Sequence, residues 1–282
     1  MKIGKYELIP IETGSFGLDG GAMFGIIPKP LWQMSNPPDE LNRVTLNARC
    51  LLLMSNSKKI LIDTGIGQQW DEKFNRIYNV EYTSNTLDNS LLNVGIRADE
   101  ITDVLLTHLH FDHTGGSTKL VDGKWIPAFP NAKYYVQKKH FDWALNPSDR
   151  DKGSFISNRF IPLHEEGVLL FIEGEEFFDD EIQFLLINGH TFYQQMVKIS
   201  DASKTVLYCG DLFPFTSHIP IPYVMGYDLQ PLVTVDEKKK YLSKAVEEEW
   251  TLFHEHDPFS VASKIQSNEK GFSVKEKFTE LI

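Results

Sequence analysis

The sequence predicts an α/β fold whose strands end in residues able to bind a metal, and three observations carry that expectation. Apolar runs of strand length recur at Cys50-Leu51-Leu52-Leu53-Met54, Lys59 to Asp63, Asp103 to Thr107, Gln183 to Ile187 and Thr205 to Cys209. Helical composition lies between and after them, over Leu87 to Val94, Lys138 to Asn146 and Glu237 to Trp250. All but the first of these strands end at a histidine or an aspartate: at Asp63, at the run Thr107-His108-Leu109-His110-Phe111-Asp112-His113, and at Gly210-Asp211, with His190 just beyond Ile187.

Length and composition set the outer bounds. A chain of 282 residues, 41% hydrophobic and 24% charged, has an ordinary globular balance, and with no repeat or convincing linker it reads as one domain over 1–282. The net charge of -11 gives no basic footprint for nucleic acid or an anionic membrane. Two cysteines, Cys50 and Cys209, are too few for a disulfide framework or a cysteine zinc finger and suggest buried thiols in a reducing compartment. The start of the chain lacks an apolar leader, and no run approaches the roughly 20 residues of a membrane span. A cytoplasmic protein without nucleic-acid or membrane partners is expected.

Taken in order, Leu8-Ile9-Pro10-Ile11 opens as a strand, and the glycines from Gly17 to Gly25 predict a loop with exposed backbone. Met23, Phe24, Pro28, Pro30, Leu31 and Trp32 form an apolar set too irregular for one amphipathic helix, suited to core filling or to a pocket wall. Ser55-Asn56-Ser57-Lys58 turns the next two strands, and Asp63 before Gly65 is either a turn former or a carboxylate orienting metal-bound histidines. Gln68 to Asn85 is polar and aromatic and predicts a flap with one short helix. Gly115-Gly116 lets the chain turn behind the histidine cluster, placing it in a strand-to-helix loop. His140 and His164 read as solvated or locally bonded side chains rather than ligands. Asp201-Ala202-Ser203-Lys204 joins a hairpin, Phe215 to Pro231 suggests a wall over the site, and the tail beyond His256 is short and mixed.

The chemistry lies in the central run. Three imidazoles and a carboxylate within six positions repel when protonated and lose hydration when buried, and a metal removes both costs. In an extended segment residues two apart share a face, so His108 and His110 grip one ion, while Asp112 and His113, splayed by the turn, serve a second about 3.5 to 4 Å away. His190 and His256 complete the two sites, and Asp211 has the two oxygens needed to bridge them. Imidazole and carboxylate without thiolate suit two Zn²⁺ best, with Fe²⁺, Mn²⁺ or Co²⁺ as alternatives. A water between two such ions ionises near neutral pH and attacks a carbonyl, so metal-assisted hydrolysis follows, with Asp112 and Asp211 as catalytic carboxylates.

His108-Leu109-His110-Phe111-Asp112-His113 with Gly189-His190, Gly210-Asp211 and His256 resembles the metallo-β-lactamase superfamily in its HxHxDH hydrolase form. The resemblance runs nearly end to end and implies an αββα sandwich, two mixed sheets face to face with helices outside and a dimetal site at one edge. It implies His108, His110 and His190 on one metal, Asp112, His113 and His256 on the other, Asp211 on both, and Asp63 behind them.

Within the superfamily, Leu18 to Gly25, Pro28 to Trp32 and the HFDH run resemble the N-acyl homoserine lactone lactonases, which open the lactone ring of quorum-sensing signals. That likeness implies a bridging hydroxide attacking a small-molecule lactone or related ester, with Met23, Phe24, Trp32 and Phe111 as the apolar pocket, and leaves a homodimer open. Two features depart from it. Phe192-Tyr193-Gln194-Gln195 replaces the usual continuation after His190-Thr191, and Leu212-Phe213-Pro214 stands where a tyrosine commonly follows the bridging aspartate, so Tyr223 or Tyr193 becomes the tyrosine expected to assist. A glyoxalase-II-like thioesterase and a mononuclear-iron redox enzyme of the same fold are the competing readings.

Overall fold

The computed structural model describes residues 1–82 and 85–281. Its strands, in chain order, are β1 (Lys2–Ile3), β2 (Tyr6–Asp19), β3 (Arg43–Met54), β4 (Lys59–Ile62), β5 (Asp103–Leu105), β6 (Thr118–Val121), β7 (Lys124–Pro127), β8 (Lys133–Gln137), β9 (Leu169–Ile172), β10 (Ile182–Ile187), β11 (Gln194–Ser200), β12 (Thr205–Tyr208), β13 (Thr251–Phe253), β14 (Ala262–Asn268) and β15 (Gly271–Phe278). One mixed sheet has the order β1-β2-β3-β4-β5-β8-β9, a second the order β10-β11-β12-β13-β14-β15, and β6 and β7 form a separate hairpin.

Alternation within the strands explains why two sheets stack. In β4, Ile60 and Ile62 face the second sheet, where they meet Phe184, Val197, Val206, Tyr208 and Phe253, whereas Leu61 faces the opposite way. That outer side of the first sheet packs Leu52, Leu61, Val104 and Val136 against Leu87 and Leu91 of helix Leu87–Asn93 and Phe141 of helix Lys138–Leu145. The outer side of the second sheet packs Met196, Leu207 and Leu252 under Tyr241, Leu242 and Ala245 of helix Pro231–Glu247. The layers therefore run helix, sheet, sheet, helix, the arrangement the resemblance implied. No helix among the described residues is long and apolar enough to cross a membrane.

One expectation needs correction. Gly17 to Gly25 is not a loop: β2 continues to Asp19, whose carboxylate caps the short helix Gly20–Phe24 by accepting from Ala22 N–H at 2.8 Å. Gly20 is required for space, since a Cβ there would stand 2.4 Å from the Trp32 ring. The tail, read only as short and mixed, holds β14 and β15, which form an antiparallel edge hairpin. Its exposed face, with Lys275 and Glu276, dilutes the apolar signal that would have marked it. Helix Glu72–Tyr78 supplies the helix expected in the flap, while positions 83 and 84 of that segment lie outside the described residues.

Candidate metal centre

The ends of β4, β5 and β12, with the loops after β10 and β13, converge on one edge of the sandwich. His108 and His110 occupy the loop after β5, and Asp112 and His113 the four-residue helix Phe111–Thr114 that follows. The backbone there is crowded: a Cβ on Gly115 would stand 2.0 Å from the Ile66 carbonyl oxygen, so glycine serves close approach of two loops rather than an unusual φ. Asp63 adopts φ 56, in the left-handed region, and accepts from Thr107 N–H at 2.7 Å and Thr107 Oγ1–H at 2.6 Å. A carboxylate held in a strained backbone position thereby fixes the start of the histidine loop.

Two sets of donor atoms result, one of His108, His110, His190 and Asp211, the other of Asp112, His113 and His256, all buried. In the first, His110 Nδ1 lies 3.1 Å from His108 Nε2 and 3.2 Å from His190 Nε2, and Asp211 Oδ2 lies 3.1 Å from His190 Nε2. In the second, His113 Nε2 and His256 Nε2 are 3.3 Å apart and each is 3.8 Å from Asp112 Oδ2. The other oxygen of Asp211, Oδ1, lies 3.0 Å from His256 Nε2 and 3.4 Å from His113 Nε2, so this carboxylate spans both sets.

The fit to metal ions can be tested on the hydrogen bonding behind the rings. Thr107 Oγ1 gives its proton to Asp63 and so accepts from His108 Nδ1 at 3.1 Å. His190 Nδ1 donates to Asp228 Oδ1 at 2.9 Å, and His256 Nδ1 to the Asn47 carbonyl at 2.8 Å. With Nδ1 donating behind the ring, each Nε2 is the atom left to turn a lone pair toward a cation once it gives up any proton of its own. Donors arranged tetrahedrally about 2.0–2.1 Å from one ion stand about 3.3 Å from one another, the spacing found here. The residues fit two divalent ions.

Electrostatics differ across the centre. Burial and the neighbouring imidazoles push His108 and His110 well below the usual range. For His190 burial is outweighed by Asp211 and Asp228, which hold it up to about 10. His113 also stands well above its usual range, because Glu255, Asp112 and Asp211 overcome its burial. Its Nδ1 faces two carboxylates, Asp63 Oδ2 at 3.0 Å and Glu255 Oε2 at 3.1 Å, and burial pushes Glu255 up to about 7.

Above the donors lies a cavity of about 320 Å³, with apolar walls from Leu18, Met23, Leu46, Phe111 and Met225 and tyrosines Tyr78 and Tyr227. Phe111 is ringed by Phe16, Trp70, Phe74 and Tyr78, which joins the flap to the pocket. Of the sequence-expected pocket residues, Met23 and Phe111 reach the cavity; Phe24 and Trp32 stack on each other at 5.2 Å in the cluster behind it. Tyr223 is not brought to the cavity: it packs edge-on to Phe24 at 6.3 Å. Tyr193 takes φ 59 with the Lys139 ammonium 5.3 Å from its ring, also away from the cavity lining.

Several working side chains left little trace in the sequence. His140 is fully buried rather than solvated, accepting from Leu109 N–H at 2.9 Å and bonding the Phe192 carbonyl at 2.7 Å, so it braces the histidine loop without being a ligand. Gln195, part of the unusual Phe192 to Gln195 stretch, donates from its backbone to Thr107 O and from its amide to Leu106 O, tying the two sheets together below the metals. Asp228 and Glu255 sit in segments without a recognisable motif, and only their burial beside ligands identifies them.

A four-layer α/β sandwich with paired His/Asp donor sets at one edge is the architecture of a metallohydrolase. Residues 44–275 match the Metallo-beta-lactamase superfamily, and the chain belongs to it. It is similar over 99% of its length to the crystal structure of a probable metal-dependent hydrolase from Staphylococcus aureus, with TM-score 0.89, 27% identity and 98% of that chain covered. An N-acyl homoserine lactonase of Bacillus thuringiensis is 25% identical over 222 residues, 74% of this chain and 80% of that protein. Cytochrome P450 monooxygenase mpaDE of Penicillium roqueforti is 30% identical over 134 residues, 40% of this chain, and the match spans only 16% of that much longer protein.

Proposed function

We propose that the protein is a dinuclear metal-dependent hydrolase that opens a lactone of the N-acyl homoserine lactone kind or a related carboxylic ester. The observation that carries this reading is the pair of donor sets sharing Asp211 at the floor of an apolar cavity. The likeness to a lactonase over most of both chains supports the substrate class. His108, His110 and His190 would hold one ion, Asp112, His113 and His256 the other, and Asp211 both, with Zn²⁺ best matched to the donors. Two divalent ions bound there would supply an activated water and polarise the ester carbonyl.

The chain's own residues complete the chemistry. Asp112 lines the cavity at the metal end, where its carboxylate can take the proton released by the attacking water and return it to the leaving alkoxide. Tyr78 faces the same cavity, and burial together with Asp112 raises its hydroxyl above the usual phenol range, so it remains a donor for a polar atom of the substrate. Phe111, Met23 and Met225 exclude water and receive the apolar part.

Turnover by metal-loaded protein of a panel of acyl homoserine lactones, simple γ- and δ-lactones, thioesters and phosphodiesters tests the reading. Ring opening of lactones is expected, and activity confined to thioesters or phosphodiesters would overturn it.

A further inference from the structure

Part of the cavity wall is the end of a proline-rich loop, and one side chain behind it bonds the loop's backbone. Lys238, fully buried on helix Pro231–Glu247, donates its ammonium protons to the carbonyl oxygens of Tyr223 at 2.7 Å, Pro220 at 2.8 Å and Ile221 at 3.3 Å. The turn it gathers is tight, with Tyr223 N–H on Pro220 O at 3.0 Å and Val224 N–H on Pro222 O at 3.1 Å. The chain then passes directly into Met225, Gly226 and Tyr227, which line the cavity. Beyond them Leu229 N–H donates to His190 O at 3.0 Å, so the wall hangs between Lys238 and a metal-ligand strand end. Across the mouth, Gly226 N–H donates to Ala22 O at 2.7 Å and the Arg150 guanidinium bonds Gly226 O.

A buried ammonium whose hydrogen-bond partners are carbonyls is an expensive way to fill space, and a methionine would pack there at lower cost. What the ammonium adds is direction: three donors converge three carbonyls on one point. We propose that Lys238 is a specificity-determining positioning residue, fixing the 220–227 loop so that Met225 and Tyr227 select among the apolar chains of the substrate. It acts through the wall and does not touch the substrate. The inference rests on the ester and lactone reading above.

A pH effect follows from the same geometry. Burial lowers the Lys238 ammonium to about 7, against the pull of Asp228; His218, which feels the Lys238 charge, is itself lowered to about 3, chiefly by burial, and stays neutral. As pH rises past 7 the lysine loses a proton, keeps two donors for three carbonyls and turns a lone pair toward one of them, which loosens the wall.

The test compares wild-type and Lys238→Met metal-loaded protein on N-hexanoyl homoserine lactone and on bare γ-butyrolactone, together with hydrogen exchange at the Gly226 amide. In the variant, the ratio of kcat/KM for the tailed over the bare lactone should fall about tenfold, the size expected when an apolar pocket misplaces one contact. Most of that fall should come from a raised KM, with the Gly226 amide exchanging about tenfold faster than in wild type. If the variant does not fold, the wild type between pH 6 and 8.5 should lose the same discrimination, with Gly226 exchange rising relative to Val197 in β11. Equal losses on both lactones, or Gly226 exchange unchanged in the variant and across pH, overturns the proposal. A wild type that opens no lactone or ester instead removes the reaction reading and the substrate half of the proposal, while exchange still decides whether Lys238 pins the wall.

Discussion

The two halves of the metal centre are built differently. The His108, His110 and His190 half is imidazole-rich, and its first two rings are shifted downward by burial and by neighbouring imidazoles, chiefly His113 on His108 and His190 on His110. The Asp112, His113 and His256 half has a carboxylate in the donor set, with Asp63 and Glu255 stacked behind His113. A cation in the first would be held chiefly by lone pairs whose tautomers are set from behind; in the second, negative charge would contribute more. Asp211 belongs to both and makes them one site.

The largest effect should come from breaking that join. Asp211→Ala is expected to lower lactone turnover about a thousandfold or more and to reduce bound metal in both halves, read by elemental analysis; two ions retained at wild-type affinity would dissolve the comparison. Replacing the groups behind each half should separate them. Asp228→Asn is expected to weaken the first position and Glu255→Gln the second, each about tenfold, as judged by competition with a chelator and by Co²⁺ spectra. Losses at the same position from both would show the halves are not independent.

Proton linkage sharpens the contrast further. Asp211 and Asp228, against burial, hold His190 up to about 10, so in metal-free protein at pH 7 it carries a proton that an entering ion must displace; His108 and His110, shifted downward, carry none. Metal binding should therefore release protons at pH 7, and apparent affinity should rise with pH until His190 is deprotonated. Metal titration in a weakly buffered indicator solution checks this, and no release at pH 7 would contradict it. The smallest effect on the centre is expected from His140→Ala. Leaving Leu109 N–H without its buried acceptor costs about 1–3 kcal/mol of stability by denaturant unfolding, while both metals are retained.

Much of the centre was legible because its ligands follow strands. Strand-end aspartates and histidines stand out where an apolar run stops, and the HxHxDH spacing restricts their geometry, so His108 to His113, His190, Asp211 and His256 could be named before any fold was known. The inner strands were equally plain, since burial on both faces writes continuous apolar runs such as Leu51 to Met54. The edge hairpin of β14 and β15 was not, because solvent on one face leaves polar residues that resemble a loop.

The sequence by itself determined the α/β class and pointed to metal-binding chemistry, because these depend on residue type and short spacing; the allocation of His190 and His256 to one donor set or the other came from the resemblance. Only the tertiary structure decided the surroundings. It put Phe24 and Trp32 behind the cavity and Tyr78, Met225 and Tyr227 on its wall, because side-chain direction in irregular loops follows long-range packing. It decided between the solvated and the locally bonded reading of His140 by making it a buried brace, and brought Asp228, Glu255 and Lys238 to their partners from loops and a helix distant in the chain. Such second partners carry no local signature, since their role is set by what lies across space rather than beside them in sequence.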